Sequence, residues 1–234
     1  GLALRADLEQ VDITTGTMTS YGTVGGNMWG LGFDGAGNLY SSVQGATSPE
    51  LFFIDPSNSA NNAIVGPMTT VDMNMGLDIS SDLGSGSVHA FGRNFDNLHT
   101  VDTTTGASTF LATVTNTSIF MFTEKPTMSA QASGFLGMDS FTGAVFDVDA
   151  AGNATQLGTV TGGPMFGFGP IAAAPDGTLY AVGPGMMSGY SIYQIDLVSL
   201  TATSLFTVAT MSTGGVGMAV DPSGNSMWVL GFRG

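Results

Sequence analysis

The chain has 234 residues, of which 43% are hydrophobic and only 9% are charged, and 18 acidic residues against 4 basic ones give a net charge of -14. So few cations argue against nucleic acid and against an anionic membrane surface as partners. The sequence has no cysteine, which excludes disulfides and thiolate metal sites, and no apolar run approaches the roughly 18 residues that insertion into a membrane requires.

The first seven residues precede any repeat. They contain the apolar alternation Leu2-Ala3-Leu4, which predicts a short strand able to add to the sheet of a neighbouring subunit. The segment lacks the charged and apolar regions of a signal peptide, so we expect such a peptide to be absent or already removed. Together with 35 glycines and very little lysine, this favours an extracellular location on a bacterial or archaeal cell surface.

A hairpin pattern then recurs along the chain. An apolar run ends at an aspartate, a polar turn follows, and a second run closes on an apolar residue, as expected for two antiparallel strands. The five copies cover residues 8–24, 51–65, 98–114, 145–160 and 191–208. Their aspartates are Asp12, Asp55, Asp102, Asp149 and Asp196, spaced 43, 47, 47 and 47 residues apart.

Between the hairpins lies a second repeated unit, in which two apolar runs flank a turn of the Asp-Gly type. Its clear copies are residues 30–40, 171–180 and 217–228, a fourth with a longer turn is 76–90, and a fifth at 119–138 carries Glu124-Lys125-Pro126 in place of the turn signal.

Each period therefore holds four short strands, which we name A, B, C and D in chain order, and such a period is typical of a propeller blade. Residues 8–24 have no A and B before them, and residues 217–231 have no C and D after them. We predict that these two segments form one blade, so that residues 8–234 make a single all-β, five-bladed propeller without exposed end strands. An open β-solenoid or two sandwiches are the alternatives, but neither explains a 47-residue period.

The alternation of Leu-x-x-Val-Asp-x-x-Thr-Gly with Gly-Leu-x-Phe-Asp-x-x-Gly-Asn-Leu-Tyr resembles bacterial secreted β-propeller repeat proteins over residues 8–231. In period alone, the chain is similar to the five-bladed tachylectin-type lectins. This resemblance implies a five-bladed propeller fold, and amino-sugar binding is the function that it would imply, because each blade of those lectins binds an amino sugar. The repeated residues are turn formers and core residues, so they do not assign an activity.

The loops that enter strand A are rich in methionine and aromatic residues. In propellers this face commonly binds ligands or partners, so these side chains are the candidate partner or ligand face. They are Met28, Trp29, Met73, Met75, Met165, Phe166, Phe168 and Met211. Three interpretations are open: packing of the channel and blades, an adaptable contact surface, or thioether ligands for Cu(I).

No catalytic constellation is found. A glycosidase needs two neighbouring carboxyls, but the glutamates are only Glu9, Glu50 and Glu124. Most aspartates fall at repeated turn positions, where the side chain caps its own backbone. Neither His89 nor His99 lies in a nucleophile motif.

No cofactor and no metal site are predicted. The two histidines with Asp96 lack a recognised ligand spacing, and the Asp-Asn-Gly clusters at 34–38 and 221–225 are explained as hairpin turns rather than calcium loops. Asn116 and Asn153 begin glycosylation sequons.

These observations lead to three functional hypotheses. The first is a non-catalytic extracellular module that associates with itself or with another surface protein, for example as the subunit of a filament built by exchange of the terminal strands. The second is a glycan-binding propeller, which requires exposed aromatic rings. The candidates for these rings are Trp29, Tyr40, Tyr180, Tyr190 and Trp228. The third is a glycosidase with two carboxyls about 5 to 9.5 Å apart at the channel mouth.

Overall fold

The structure, a computed structural model, describes residues 5–45, 48–69, 77–81, 87–92, 96–115, 119, 121–125, 134–164, 167–184, 190–208 and 213–233. In this part of the chain, twenty strands and one short 3-10 helix (Ser59–Asn61) are found. In chain order the strands are β1 (Arg5–Asp12), β2 (Met18–Gly26), β3 (Met28–Phe33), β4 (Leu39–Gln44), β5 (Pro49–Ile54), β6 (Ala63–Pro67), β7 (Leu77–Ser80), β8 (Ser87–Gly92), β9 (Asn97–Asp102), β10 (Ser108–Thr113), β11 (Met121–Glu124), β12 (Gly134–Met138), β13 (Ala144–Asp149), β14 (Ala154–Thr159), β15 (Ile171–Ala173), β16 (Leu179–Pro184), β17 (Tyr190–Asp196), β18 (Thr201–Val208), β19 (Thr213–Val220) and β20 (Ser226–Arg233).

The strands form five four-stranded antiparallel sheets. Blade 1 is β3 to β6, blade 2 is β7 to β10, blade 3 is β11 to β14 and blade 4 is β15 to β18, while blade 5 has the order β19-β20-β1-β2. The predicted five-bladed propeller is therefore confirmed, with strands A to D at the predicted places in each period.

Blade 5 joins the two ends of the chain. Strand β1 pairs with β20 over eight residues in a continuous antiparallel register from Arg5↔Arg233 to Asp12↔Ser226. Strand β1 begins at Arg5, so the last residues of the segment before the first hairpin also belong to this sheet. Closure within one chain covers the edges that an incomplete ring would expose.

The A strands form a ring around the propeller axis, where β3, β7, β11, β15 and β19 each contact the next. Three side chains of this ring accept backbone N–H groups of a neighbouring blade. Phe33 N–H donates to Ser81 Oγ (3.0 Å), Phe122 N–H to Asp78 Oδ2 (2.9 Å) and Ala173 N–H to Thr123 Oγ1 (3.2 Å). The inner edge of strand A has no further strand to pair with, so these bonds satisfy groups that would otherwise be buried without partners.

Glycine in strand A lets these backbones approach each other. Gly30 has φ +65, and a Cβ on it would overlap the backbone nitrogen of Ile79 in β7. From the other side, a Cβ on Gly217 of β19 would lie 2.6 Å from the carbonyl carbon of Gly30. No side chain fits between three strands this close.

Apolar side chains fill the spaces between blades. In β8, Val88 and Ala90 pack towards blade 1, whereas the next residue, Phe91, packs towards blade 3. Neighbouring residues of a strand point to opposite faces, as its two-residue period requires. Five such clusters lie at the five blade junctions. The core is thus divided among the junctions, so each blade depends on both neighbours.

Candidate functional site

The connections between strands lie on two opposite faces. Because neighbouring strands alternate in direction, the B–C and D–A connections share one face, which we call the loop face, and the A–B and C–D turns share the other, the turn face. In sequence, the predicted partner or ligand residues fall in or next to the D–A connections.

Of those residues, Met28, Trp29 and Phe168 are described by the structure. Met28 is fully buried between blades 5 and 1, and Phe168 is 6% exposed against Tyr193 of blade 4, at a ring distance of 5.7 Å. Both side chains are therefore buried within the blade junctions. Trp29 is half-buried. Met73, Met75, Met165, Phe166 and Met211 lie outside the described residues, as do Leu2, Ala3, Leu4 and Asn116.

The aromatic rings proposed for sugar stacking are mostly buried. Tyr40, Tyr180 and Trp228 are 5%, 6% and 7% exposed. The Tyr40 hydroxyl donates to Asp34 Oδ2 at 3.3 Å, and the Trp228 ring packs on Tyr21 at 4.9 Å. These three rings serve the blade junctions and are not available to stack on a ligand.

The C–D turn aspartates cap their own backbones as predicted. Asp102 Oδ1 accepts the N–H groups of Thr104 (2.9 Å) and Thr105 (2.8 Å), and the same pattern holds at Asp12, Asp55 and Asp196. Asp149 Oδ1 accepts the N–H groups of Ala151 and Asn153, two and four residues on. These hydrogen bonds lower the pKa of all five carboxyls, chiefly through the backbone N–H three residues on at Asp12, Asp102 and Asp196, and through the side chains of Ser57 and Asn153 at Asp55 and Asp149. The carboxylates are therefore stabilised as anions that hold turns, which is the opposite of what a general acid requires.

Buried carboxyls that the sequence did not single out occur in the strands. Asp7 and Glu9, 6% and 4% exposed, are alternate residues of β1 and so point to the same face of blade 5. Thr23 Oγ1 donates to Asp7 at 2.7 Å. Strand β1 is the third strand from the axis, so this pair does not lie at the channel mouth, where the glycosidase hypothesis requires two carboxyls. Asp78 is on an innermost strand, but its Oδ2 accepts the Phe122 N–H that links blades 2 and 3.

The two histidines point to opposite sides of blade 2. His89 of β8 is paired with Thr100, whereas His99 of β9 is paired with Ala90, so neighbouring positions of the two strands face different junctions. The His89 ring meets Phe135 of blade 3 edge-on at 4.8 Å. The two imidazoles cannot serve one metal ion or one catalytic base pair. In the described ranges, no group of three or more His, Asp or Glu side chains could hold a metal ion.

Burial makes His99 sensitive to acid. The residue is 1% exposed, and burial lowers the pKa of its imidazole below 6.5. The unfolded chain then binds a proton that the folded chain resists, so this contribution to stability is present above pH 6.5 and is lost as pH falls from 6.5 towards the folded pKa. We expect the free energy of unfolding in urea to decrease with acidification in this window, and the decrease to be smaller in His99→Gln.

The turn aspartates do not affect this comparison of the parent with His99→Gln. Because their pKa values are lowered, their contribution to stability changes only below about pH 3.8. The raised pKa of Asp96, caused by burial, is common to both proteins and cancels in the difference. Identical pH profiles of the parent and His99→Gln would contradict the assignment.

The described surface also carries large apolar side chains that the sequence analysis did not identify. They are Ile64, Phe110, Leu111, Phe141, Leu157, Val198 and Leu205, with exposed fractions from 37% to 96%. Phe141 is on the loop face and Val198 on the turn face, and the other five lie on outer D strands. For the five strand residues, the sequence shows only an apolar residue one to four positions before the end of a hairpin. Such a residue is equally consistent with a core position.

Asn153 lies in the exposed β13–β14 turn, where its side-chain N–H donates to Asp149 Oδ2 at 2.8 Å. The sequon is accessible, but glycosylation would use the nitrogen that makes this bond. No helix in the described ranges is long and apolar enough to cross a bilayer.

No family model and no curated protein matches the sequence, but many solved structures share its fold. A structural genomics protein of unknown function from Bacteroides thetaiotaomicron aligns over 99% of this chain and 70% of its own, with a TM-score of 0.63 and 11% identity. Glutaminyl cyclase from Myxococcus xanthus covers 89% and 92%, with 0.58 and 14%. A putative TolB from Agrobacterium tumefaciens covers 99% of both chains, with 0.55 and 10%. At such identities the similarities show the propeller fold alone, and their different functions assign no activity to this chain.

Proposed function

We propose that this chain is a non-catalytic, extracellular β-propeller whose function is association, in the first place with copies of itself. The observation that carries the proposal is that large apolar side chains are exposed, whereas the carboxylates of the C–D turns are hydrogen-bonded to their own backbones. Phe141 and Val198 are 78% and 96% exposed, and Phe110 and Ile64 are more than half exposed. Exposed apolar groups of this size are typical of contact surfaces.

The polar groups support the same proposal. The carboxylates of the C–D turns are occupied by their own backbones, and the described histidines face separate junctions. The favourable free energy of association would therefore come from burial of apolar area. The low content of lysine and the resemblance to secreted repeat propellers support an extracellular place of action.

Sedimentation velocity over a protein concentration range from about 1 μM to 1 mM tests the proposal, because it covers dissociation constants that correspond to binding free energies of about -8 to -4 kcal/mol. We expect the weight-average mass to increase with concentration, and electron microscopy of the concentrated sample would distinguish filaments from discrete oligomers. A single monomeric species at every concentration would contradict self-association.

Glycan binding is a second candidate only through Trp29 and Tyr190, the two proposed rings that are half-buried rather than buried. A glycan array probed with the parent protein and with Trp29→Ala tests it. Binding that is lost in Trp29→Ala would support a sugar site, and the absence of any bound glycan would remove this candidate.

A further inference from the structure

The sequence contains two Asp-Gly pairs, Asp34-Gly35 and Asp176-Gly177. Both lie in A–B turns, the first between β3 and β4 of blade 1 and the second between β15 and β16 of blade 4. An aspartate that precedes glycine is prone to isomerise, because glycine has no side chain to hinder attack of its nitrogen on the aspartate carboxyl. The two pairs share this chemistry, so a large difference in their reactivity must come from the fold.

The two aspartates occupy different positions of the same kind of turn. In blade 1, Gly37 N–H donates to the Asp34 carbonyl oxygen at 3.0 Å, so Asp34 is the first residue of the turn. In blade 4, Gly177 N–H donates to the Ala174 carbonyl oxygen at 3.0 Å, so Ala174 is the first residue and Asp176 the third. The first position is the one from which an aspartate side chain can accept the N–H groups of the turn that follows it.

Hydrogen bonds hold both carboxylate oxygens of Asp34, which is 3% exposed. Oδ1 accepts the N–H groups of Ala36 at 3.0 Å and Asn38 at 2.9 Å. Oδ2 accepts the Asn38 side-chain N–H at 3.0 Å and the hydroxyls of Tyr40 at 3.3 Å and Thr103 at 3.5 Å. Attack by the following nitrogen requires the carboxyl carbon to turn towards the main chain, so several of these bonds must break before the reaction can begin.

Asp176 is exposed and held far less firmly. From the described residues its carboxylate accepts a single hydrogen bond, from Thr178 N–H to Oδ1 at 2.9 Å. The strands that carry the turn are also paired over a short length, since β15 meets β16 at only three positions, from Ile171↔Ala181 to Ala173↔Leu179. Opening of an exposed turn on so short a hairpin is a local event that does not require the propeller to unfold.

We propose that Asp176 is a site of spontaneous covalent modification, at which the folded protein converts aspartate to isoaspartate, whereas Asp34 is protected by its hydrogen bonds. In the first step the Gly177 nitrogen loses its proton and forms a bond to Asp176 Cγ, and one carboxyl oxygen leaves as water. In the second step water adds to the cyclic imide and cleaves the bond between that nitrogen and the main-chain carbonyl carbon. The chain then continues through the side-chain carbons, which makes the turn one atom longer and leaves the α-carboxylate free. No oxidant or cofactor is required.

Peptide mapping of the folded protein after several weeks at neutral pH and physiological temperature tests the inference. Electron-transfer mass spectrometry distinguishes isoaspartate from aspartate at each position. We expect isoaspartate to form at least about tenfold faster at Asp176 than at Asp34, because each additional hydrogen bond to a charged group that must break slows the reaction by roughly that factor. Equal rates, a faster rate at Asp34, or no reaction at Asp176 would overturn the proposal.

The same incubation in urea separates the effect of the fold from that of the local sequence. Both turns are open in the unfolded chain, so the two rates should become similar. If Asp176 still reacted about tenfold faster there, the neighbouring residues rather than the hydrogen bonds would decide the difference, and the structural explanation would be wrong.

Two variants complete the experiment, each checked for folding by circular dichroism. Asp176→Glu keeps the charge, but its longer side chain would have to close a larger ring, so the product at this position should disappear. Asn38→Ala removes the side-chain donor to Asp34 Oδ2, so the reaction at Asp34 should accelerate while that at Asp176 stays unchanged. An unchanged rate at Asp34 in this variant would contradict the protective role of its hydrogen bonds.

Discussion

Gly30→Ala should reduce the free energy of unfolding by more than about 4 kcal/mol, which places it among the most damaging single substitutions that a domain of this kind can carry. Two effects act together at this position. The backbone has φ +65, which disfavours any side chain, and the new methyl group would overlap the backbone nitrogen of Ile79. Neither strand can withdraw, because Gly217 of β19 approaches Gly30 from the other side.

Gly22→Ala is the matched control. Gly22 has φ +74, but a Cβ there has no atom within 4 Å, so only the backbone term remains and about 1 to 2 kcal/mol should be lost. Urea unfolding of both variants measures the difference. Equal losses would show that the innermost strands are not packed backbone against backbone, and the ring of A strands would have to be wider than described.

The second large effect is expected in blade 5, where folding requires all four strands but does not require the chain to begin and end within this blade. Deleting residues 226–234 removes β20, the strand that pairs with both β19 and β1. Met227, Val229, Trp228 and Leu230 are lost with it, and these residues belong to the clusters on both sides of the blade. We expect loss of the cooperative unfolding transition and aggregation through the exposed junctions.

A circular permutant should retain the fold. Joining residue 234 to residue 1 by a short glycine linker and opening the chain at Val198, which is 96% exposed in the β17–β18 turn, keeps every strand and moves the break to blade 4. Such exposed turn positions tolerate new termini. The permutant should unfold cooperatively near the parent's thermal midpoint, as followed by circular dichroism. If the permutant fails to fold while the deletion folds, blade 5 is not the element that closes the ring.

Sequence alone predicts the repeated features of this molecule because their causes are local. An aspartate that accepts N–H groups two and three residues ahead, as Asp102 does from Thr104 and Thr105, needs no other part of the chain to specify it. Closure of the ring also follows from counting the strands of each period. Strands C and D near the start of the sequence and strands A and B near its end together complete one blade.

The residues whose positions the sequence alone leaves open depend on distant neighbours. Met28 lies directly after a loop and was predicted to belong to a binding face, yet it is the first residue of β3 and is buried between blades 5 and 1. Gly30 is the first residue of a repeated unit in the sequence, but the need for glycine there comes from the backbone of Ile79 in β7, nearly fifty residues away. The direction of each histidine depends on the register of β8 with β9. None of these causes is encoded within a short window of sequence.

The pairing of β1 with β20 also determines how the molecule would respond to tension between its two ends. Arg5 and Arg233 are opposite each other at one end of the antiparallel ladder, so a force that separates the termini acts on this first pair alone. The pairs would break in sequence towards Asp12 and Ser226 instead of sharing the load. Under tension between its ends, the ring is thus mechanically weakest where the chain closes it, and a tether attached at any C–D turn would avoid that weakness.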